Sequence, residues 1–261
     1  MHPMDELIPV LKRLRLSGVL DSLDLRTRQA SEDNLAPAEF LLRLLSDEVE
    51  RREMKQLGLR LRRANFEHAK TIDDFDFSFN PKLPKSRIID LATCAFVERH
   101  ENVGLVGPTG VGKSHIAQAL GHRACRAGYS VLNVTAHQML AELRAARADH
   151  SHERKMARFV SPQLLIIDDL GLRNLSHDEP VDLYEIIRAR YERGSLIITS
   201  NRAVEEWYPL FHDDLLASAA LDRFLHHAYV LTLDGNSYRN PPGQRAIEPA
   251  PIPQPTAEAS P

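Results

Sequence analysis

The sequence predicts an α/β chain, with a mainly parallel five-stranded sheet covered by helices on both faces, a small all-α region before it and a proline-rich tail after it. Three observations carry this. From residue 87 onward, short apolar runs alternate with helical stretches: Val103-Gly104-Leu105-Val106, Val131-Leu132-Asn133-Val134, Leu164-Leu165-Ile166-Ile167, Leu196-Ile197-Ile198-Thr199 and Tyr229-Val230-Leu231-Thr232-Leu233. Such runs are the pattern of strands buried on both faces. Upstream, Leu7, Val10, Leu11 and Leu14 recur at helical spacing, and Phe40, Leu41, Leu44 and Leu45 repeat it behind Pro37, which suits a first helical turn. From 240 to 261, seven of the chain's sixteen prolines fall among few large apolar residues, a composition that buries no core.

The expected division is a helical region over 1–67, a connector over 68–86, the α/β core over 87–239 and the tail over 240–261. In the connector Phe75, Phe77 and Phe79 alternate with Asp76 and Ser78 ahead of Pro81 and Pro84, which reads as extended chain along the edge of the core. Lys and Arg total 33 against 36 Asp and Glu, a formal charge of −3, so the chain is no polycation and any nucleic-acid contact must come from a local patch. No apolar run approaches 18 residues and the N-terminus lacks a basic segment before an apolar one; neither a membrane span nor a secretory signal is readable, and a cytoplasmic home is expected. Cys94 and Cys125 lie in apolar, helical-looking stretches without a Cys-x-x-Cys partner, which argues against a disulfide framework or a zinc site. The histidines, including His150, His152, His226 and His227, form no metal motif and read as surface residues. Trp207, Tyr208 and Phe211 read as packing.

Directly after the first strand stands Gly107-Pro108-Thr109-Gly110-Val111-Gly112-Lys113-Ser114, followed by His115 and a helical run. This is a P-loop in its strand-to-helix setting. Glycines let backbone N–H groups close around phosphates, the helix N-terminus adds favourable potential, Lys113 reaches the β- and γ-phosphates, and the Ser114 hydroxyl ligates Mg²⁺. The expected ligands are therefore ATP and Mg²⁺, held by residues 107–115.

The third strand delivers Asp168 and Asp169 at its C-terminal end, where ligands bind in open α/β sheets. On their own they would read as a solvated turn; beside a P-loop, Asp168 reads as a ligand to the metal shell and Asp169 as the group that orients the attacking water. A full strand-and-helix unit separates the P-loop strand from this one, which resembles the ATPases that carry an additional catalytic acid. The fourth strand ends in Thr199-Ser200-Asn201-Arg202, and Asn201 resembles the sensor-1 position of AAA+ ATPases. Arg223, in Asp222-Arg223-Phe224 before the fifth strand, resembles their arginine finger, which acts on ATP bound to a neighbouring subunit.

With Leu11-Lys12-Arg13-Leu14-Arg15-Leu16-Ser17-Gly18 at the start and Asp234-Gly235-Asn236-Ser237-Tyr238-Arg239 at the close, the ordered set resembles the IstB/DnaC-like AAA+ ATPases, and the IstB branch in particular. The resemblance spans nearly the whole chain. It implies a P-loop AAA+ core, an ATPase that oligomerises on duplex DNA and deforms it, and a transposase partner that it recruits and stimulates. Two departures stand out. Asp169 replaces the usual glutamate, and too few residues follow the fifth strand for a helical lid, so Arg239 is only a weak substitute for a sensor-2 arginine.

Two basic clusters are candidates for DNA: Arg51, Arg52, Lys55, Arg60, Arg62 and Arg63, and further on Arg144, Arg147, Arg154, Lys155 and Arg158. Interleaved acids Glu53, Glu142 and Glu153 leave a plain solvated helix face as the alternative for either. Neither carries the aromatics of a single-strand channel, which favours duplex. Two other functions share the motifs: a DnaC-type helicase loader on single-stranded DNA, and a small-molecule phosphotransferase, disfavoured by Asp169 and by the attached basic helices.

Overall fold

The computed structural model describes residues 3–68, 70–176 and 178–239, and the proline-rich tail lies outside them. The helical region forms α1 (Pro3–Arg13), α2 (Ser17–Glu32) and α3 (Pro37–Ala64). Pro37 occupies the first turn of α3, where its missing N–H costs nothing, and Asn65 ends the helix in the left-handed conformation at φ 59°. The bundle's own core is small: Leu11, Val19, Leu23 and Leu44, with Leu16, Leu20 and Phe40 against them. The predicted apolar stripes are helical, yet Leu7, Val10, Leu14, Leu41 and Leu45 are exposed, because the three helices bury only a narrow seam.

A polar device closes that seam. Glu48, buried on α3, accepts backbone N–H bonds from Gly18 and Val19 at the start of α2, and so caps a neighbouring helix that lacks a side-chain cap of its own. The approach requires glycine: a Cβ on Gly18 would stand 2.8 Å from the Glu48 Cα.

The core contains α4 (Lys85–Leu91), α5 (Ala95–Glu98), β1 (Asn102–Val106), α6 (Lys113–Arg126), β2 (Val131–Thr135), α7 (Ala136–Ala148), α8 (His152–Val160), β3 (Leu164–Leu170), α9 (Glu179–Arg190), β4 (Ser195–Ser200), a 3₁₀ helix (Val204–Phe211), α10 (Asp214–Leu225) and β5 (Ala228–Thr232). All five predicted strands are present and parallel, in the order β2-β3-β4-β1-β5. Alternation along each strand splits the core into two layers. Leu165, Ile167, Leu196 and Ile198 face α7, α9, α10 and the 3₁₀ helix, while Leu164, Ile166, Ile197 and Leu105 face α6, α4 and the end of α3.

The end of α3 packs against the core: Ala64 is fully buried in the second layer, Arg60 Nε donates to the Cys125 carbonyl, and Asn65 and Asn133 each donate a side-chain N–H to the other's backbone carbonyl at 3.5 Å beside edge strand β2. Two expectations are corrected. The connector is a chain of turns rather than extended, because Asp76 and Asn80 bond locally and across to residue 236, and Phe75 turns into the core. Cys94 sits in a left-handed turn (φ 65°) before α5 rather than inside a helix, and both cysteines are buried free thiols that desolvation pushes up, Cys125 to about 11. Among the described residues, no helix is long and apolar enough to cross a membrane.

Candidate nucleotide site

The P-loop runs from the end of β1 into α6, and its three glycines all have positive φ. Gly107 cannot carry a side chain, since a Cβ there would lie 2.0 Å from the Leu233 carbonyl. Lys113 Nζ donates to the Gly107 and Pro108 carbonyls at 2.7 Å each, so the loop folds around its own lysine. Burial pushes the Lys113 pKa down, opposed by Asp169 and Asp168. Val111 is buried and anchors the loop to the core.

Above the loop lies a cavity of about 340 Å³ lined by Thr109, Gly110, Gly112, Lys113, Ser114 and His115, and across it by Asp169 and Asn201. Sequence-distant groups therefore meet on one wall. How Asp169 arrives is a tertiary result: β3 and β4 slip out of register between Ile167 and Leu170, and Asp169 takes φ 58° there. A regular strand would send adjacent side chains to opposite faces; this bulge re-aims Asp169 into the cavity. Its N–H donates to Thr199 Oγ1 (2.9 Å), and the Thr199 hydroxyl donates to Asp168 Oδ1, so one threonine fixes both acids. Desolvation, then the charge of Asp168, pushes the Asp169 pKa up, with Lys113 and Arg239 opposing. Asp168 is buried beneath it and lines a neighbouring cleft with Asn65, Glu67, Asn133 and Thr135 rather than the P-loop cavity itself.

The far wall comes from segments to which the sequence reading gave no site role, apart from Arg239 as a weak sensor-2 substitute. Lys70, Asp74, Phe75 and Asp76 of the connector and Tyr238 and Arg239 of the closing segment line it. The connector is tied down by His115 Nε2, 3.0 Å from the Thr71 carbonyl, and by Phe75, which packs edge-on to His115 and tilted against Tyr238. The closing segment is tied down by Tyr238, whose N–H donates to the Gly110 carbonyl (2.9 Å) and whose hydroxyl donates to the Asp76 carbonyl (2.7 Å). The signal for the connector was present in the Phe75, Phe77, Phe79 alternation, but period two alone cannot tell an edge strand from a strap. The fit to nucleotide is good: a glycine cradle, a lysine, and hard oxygen donors of the kind Mg²⁺ takes, Ser114 and Asp169 in the cavity and Asp168 in the adjoining cleft.

Arg223 is not in this cavity. On α10 it donates to the Ala219 carbonyl (2.7 Å) and stacks 5.8 Å from the Tyr184 ring. Of the basic residues, several are occupied within the chain: Arg51 and Arg52 pair with Glu48, Arg60 holds α6, Arg147 pairs with Asp182, Arg144 lies 3.9 Å from Glu179, and Lys155 and Arg158 share Glu142. Lys55, Arg62, Arg63 and Arg154 carry no ion pair among the described residues. The histidines are likewise less uniform than expected, His152 bonding Asp182 and His226 bonding Tyr191, with Glu192, His226 and His227 grouped on the exposed surface. Trp207 and Phe211 pack in the core as expected, but Tyr208 is exposed.

A parallel sheet in this order, with the P-loop after β1 and the acids after β3, defines an AAA+ class P-loop nucleotide-binding core. Residues 9–246 match the family described as IstB-like ATP binding protein, and the chain belongs to that family. It is 43% identical to an insertion-sequence protein of Mycobacterium tuberculosis described as ATP-binding, over 88% of this chain and 92% of that one. It is 38% identical to the insertion sequence IS21 counterpart of Pseudomonas aeruginosa, over 92% and 89%. Among solved structures it resembles DnaI (TM-score 0.56, 20% identity, 64% of this chain and 92% of that one) and AMPPCP-bound DnaA from Aquifex aeolicus (TM-score 0.54, 20% identity, 65% and 51%), likenesses of fold alone.

Proposed function

We propose that this protein is an ATPase in which ATP binding drives assembly of a homo-oligomer on duplex DNA, deforming it and recruiting a transposase, and hydrolysis releases the complex. The observation that supports this most is the convergence of Lys113, Ser114, Asp169 and Asn201 on one cavity in a chain of an insertion-sequence ATP-binding family. Bound Mg²⁺, held by Ser114 and Asp168, would offset the charge of the phosphates. On ATP binding, Lys113 exchanges its two loop carbonyls for phosphate oxygens, a ready trade for an ammonium held only by neutral acceptors. Asp169 orients the attacking water and draws its proton; its raised pKa makes it a better acceptor than an exposed carboxylate. Asn201 fixes that water from the other side. Arg239 stands in the same chain's cavity as a cation for the phosphates, and Arg223, outside it, serves the neighbouring subunit's site, so hydrolysis requires the oligomer.

Anisotropy of labelled duplex DNA with and without ATP·Mg²⁺, against single-stranded competitor, tests the reading. Lys113→Ala is expected to lose ATP binding and DNA assembly together, and Asp169→Ala to trap the assembled complex; normal ATP-dependent DNA binding by the former sinks the coupling. Preference for single strands would favour the second reading, a DnaC-type helicase loader, for which the fold likeness to a DnaC helicase loader structure speaks (TM-score 0.50, 20% identity). No DNA binding in any nucleotide state would reopen the phosphotransferase.

A further inference from the structure

At the far end of the sheet from the P-loop, beside edge strand β2, one arginine from each basic cluster lines a common cleft. A cleft of about 300 Å³ there is lined by Arg63 from the last turn of α3 and Arg158 from the last turn of α8, with Ser130, Ser161 and Pro162 between them. Ends of helices present carbonyls, and two helix C-termini facing one cleft would ordinarily repel an anion. The structure removes that objection for α8. Arg190, 1% exposed, donates to the carbonyls of Phe159, Val160, Pro162, Gln163 and Ser195 and meets no carboxylate among the described residues. A guanidinium solvated only by neutral carbonyls keeps its whole charge, and the low-dielectric core beneath the cleft carries that field to its mouth. Arg63 has no ion pair among the described residues, and Arg158 is only half-neutralised, since it shares Glu142 with Lys155.

We propose that this cleft is where the protein grips the phosphate backbone of duplex DNA, Arg63 and Arg158 contacting phosphates across the β2 edge with the buried Arg190 supplying charge from below. The inference rests on the DNA-binding reading and deepens it, joining one residue of each cluster in a single grip. It assigns the grip no base recognition, because the cleft offers cations and hydroxyls but no element shaped to enter a groove.

The test uses the full-length protein with ATP·Mg²⁺ and a fluorescein-labelled duplex, titrated at several salt concentrations. Compared are wild type, Arg63→Ala/Arg158→Ala, Arg63→Lys/Arg158→Lys, and Arg99→Ala, an exposed arginine beside the opposite sheet edge. Each lost phosphate contact lowers the slope of log K against log salt by about 0.9, so the double alanine variant is expected to lose roughly 1.8 and to bind about tenfold more weakly at moderate salt. The lysine pair should restore most of the slope, Arg99→Ala should leave it unchanged, and nucleotide affinity should match wild type in all three variants. A wild type that binds duplex while the double alanine variant keeps its slope overturns the cleft alone. A wild type that binds no duplex in any nucleotide state overturns the DNA reading and the cleft together.

Discussion

The N-terminal bundle and the α/β core are built from similar amphipathic helices, yet they are held together by different forces. The core buries two continuous apolar layers, and its few buried charges are bonded to backbone or to a partner: both terminal nitrogens of Arg190 donate to carbonyls, its Nε staying unbonded, and Glu179 pairs with Arg173. The bundle has a core of four residues and relies on Glu48, a carboxylate caught between Arg51, Arg52 and the N-terminus of α2, and on the bidentate Arg26–Asp47 pair. Apolar burial is non-directional and survives changes of pH; a carboxylate cap is directional and titrates. The bundle should therefore be the region that opens first.

Replacing Arg190 with Met should have the largest effect, and on the core. Several buried carbonyls lose their donor at once, each worth about 1–3 kcal/mol when unsatisfied, so urea denaturation should show a loss of about 3 kcal/mol or more. A variant as stable as wild type would mean that water replaces the guanidinium, and the contrast between the regions would fail.

Next comes Gly18→Ala. Its methyl would meet the Glu48 Cα at 2.8 Å and the Asp47 carbonyl at 3.0 Å, backbone atoms that move only if α2 and α3 part. The bundle should lose about 1–3 kcal/mol while ATP binding persists, seen as faster proteolysis between residues 13 and 58 with an intact core fragment.

Lowering the pH should sharpen the comparison further. Burial pushes the Glu48 pKa up, but the Arg52 guanidinium, the Gly18 N–H, Arg51 and the Val19 N–H outweigh it and hold the group at about 2. A depressed carboxylate contributes stability above its ordinary value of 4.5 that is lost as pH falls from there toward 2. Hydrogen exchange at pH 3 should show α1 and α2 opening before the sheet, and Glu48→Gln should reduce that pH dependence, leaving the part that Asp47 carries, while weakening the bundle at pH 7.

The smallest effect has the opposite sign and lies in the site. Because the folded-state pKa of Asp169 is raised, the native state holds that proton more tightly, and its stability falls as pH rises from the ordinary value of 3.8 through the raised one. Asp169→Asn keeps a side chain that tolerates the left-handed backbone and removes the charge. The nucleotide-free variant should melt slightly higher than wild type at pH 7 by scanning calorimetry, while hydrolysis falls; a lower melting temperature would show that Asp169 is not under this strain.

Much of the architecture was legible because the relevant signals are local: apolar runs for β1 to β5, glycines and Lys113 in one contiguous loop, Asp168 and Asp169 at a strand end. The failures share a cause. The exposure of Leu7, Val10 and Leu45 depends on how much surface a neighbour covers, which periodicity along one helix does not contain. The basic clusters counted charges without their partners, and Glu48, Asp182 and Glu142 lie on other turns or other helices. Thr199, which holds both acids, was visible only as a strand residue, since its partners are about thirty residues away.

The sequence by itself determined the class of this protein: an AAA+ core of the IstB-like family follows from contiguous motifs in a fixed order, because phosphate binding needs a loop whose atoms are neighbours along the chain. Only the tertiary structure decided what completes the site. The bulge that turns Asp169 inward, the strap that brings Phe75 and Tyr238 over the P-loop, the placing of Arg239 in the cavity and the meeting of Arg63 with Arg158 all arise from packing between distant segments, and no local pattern encodes a distance that the rest of the fold sets.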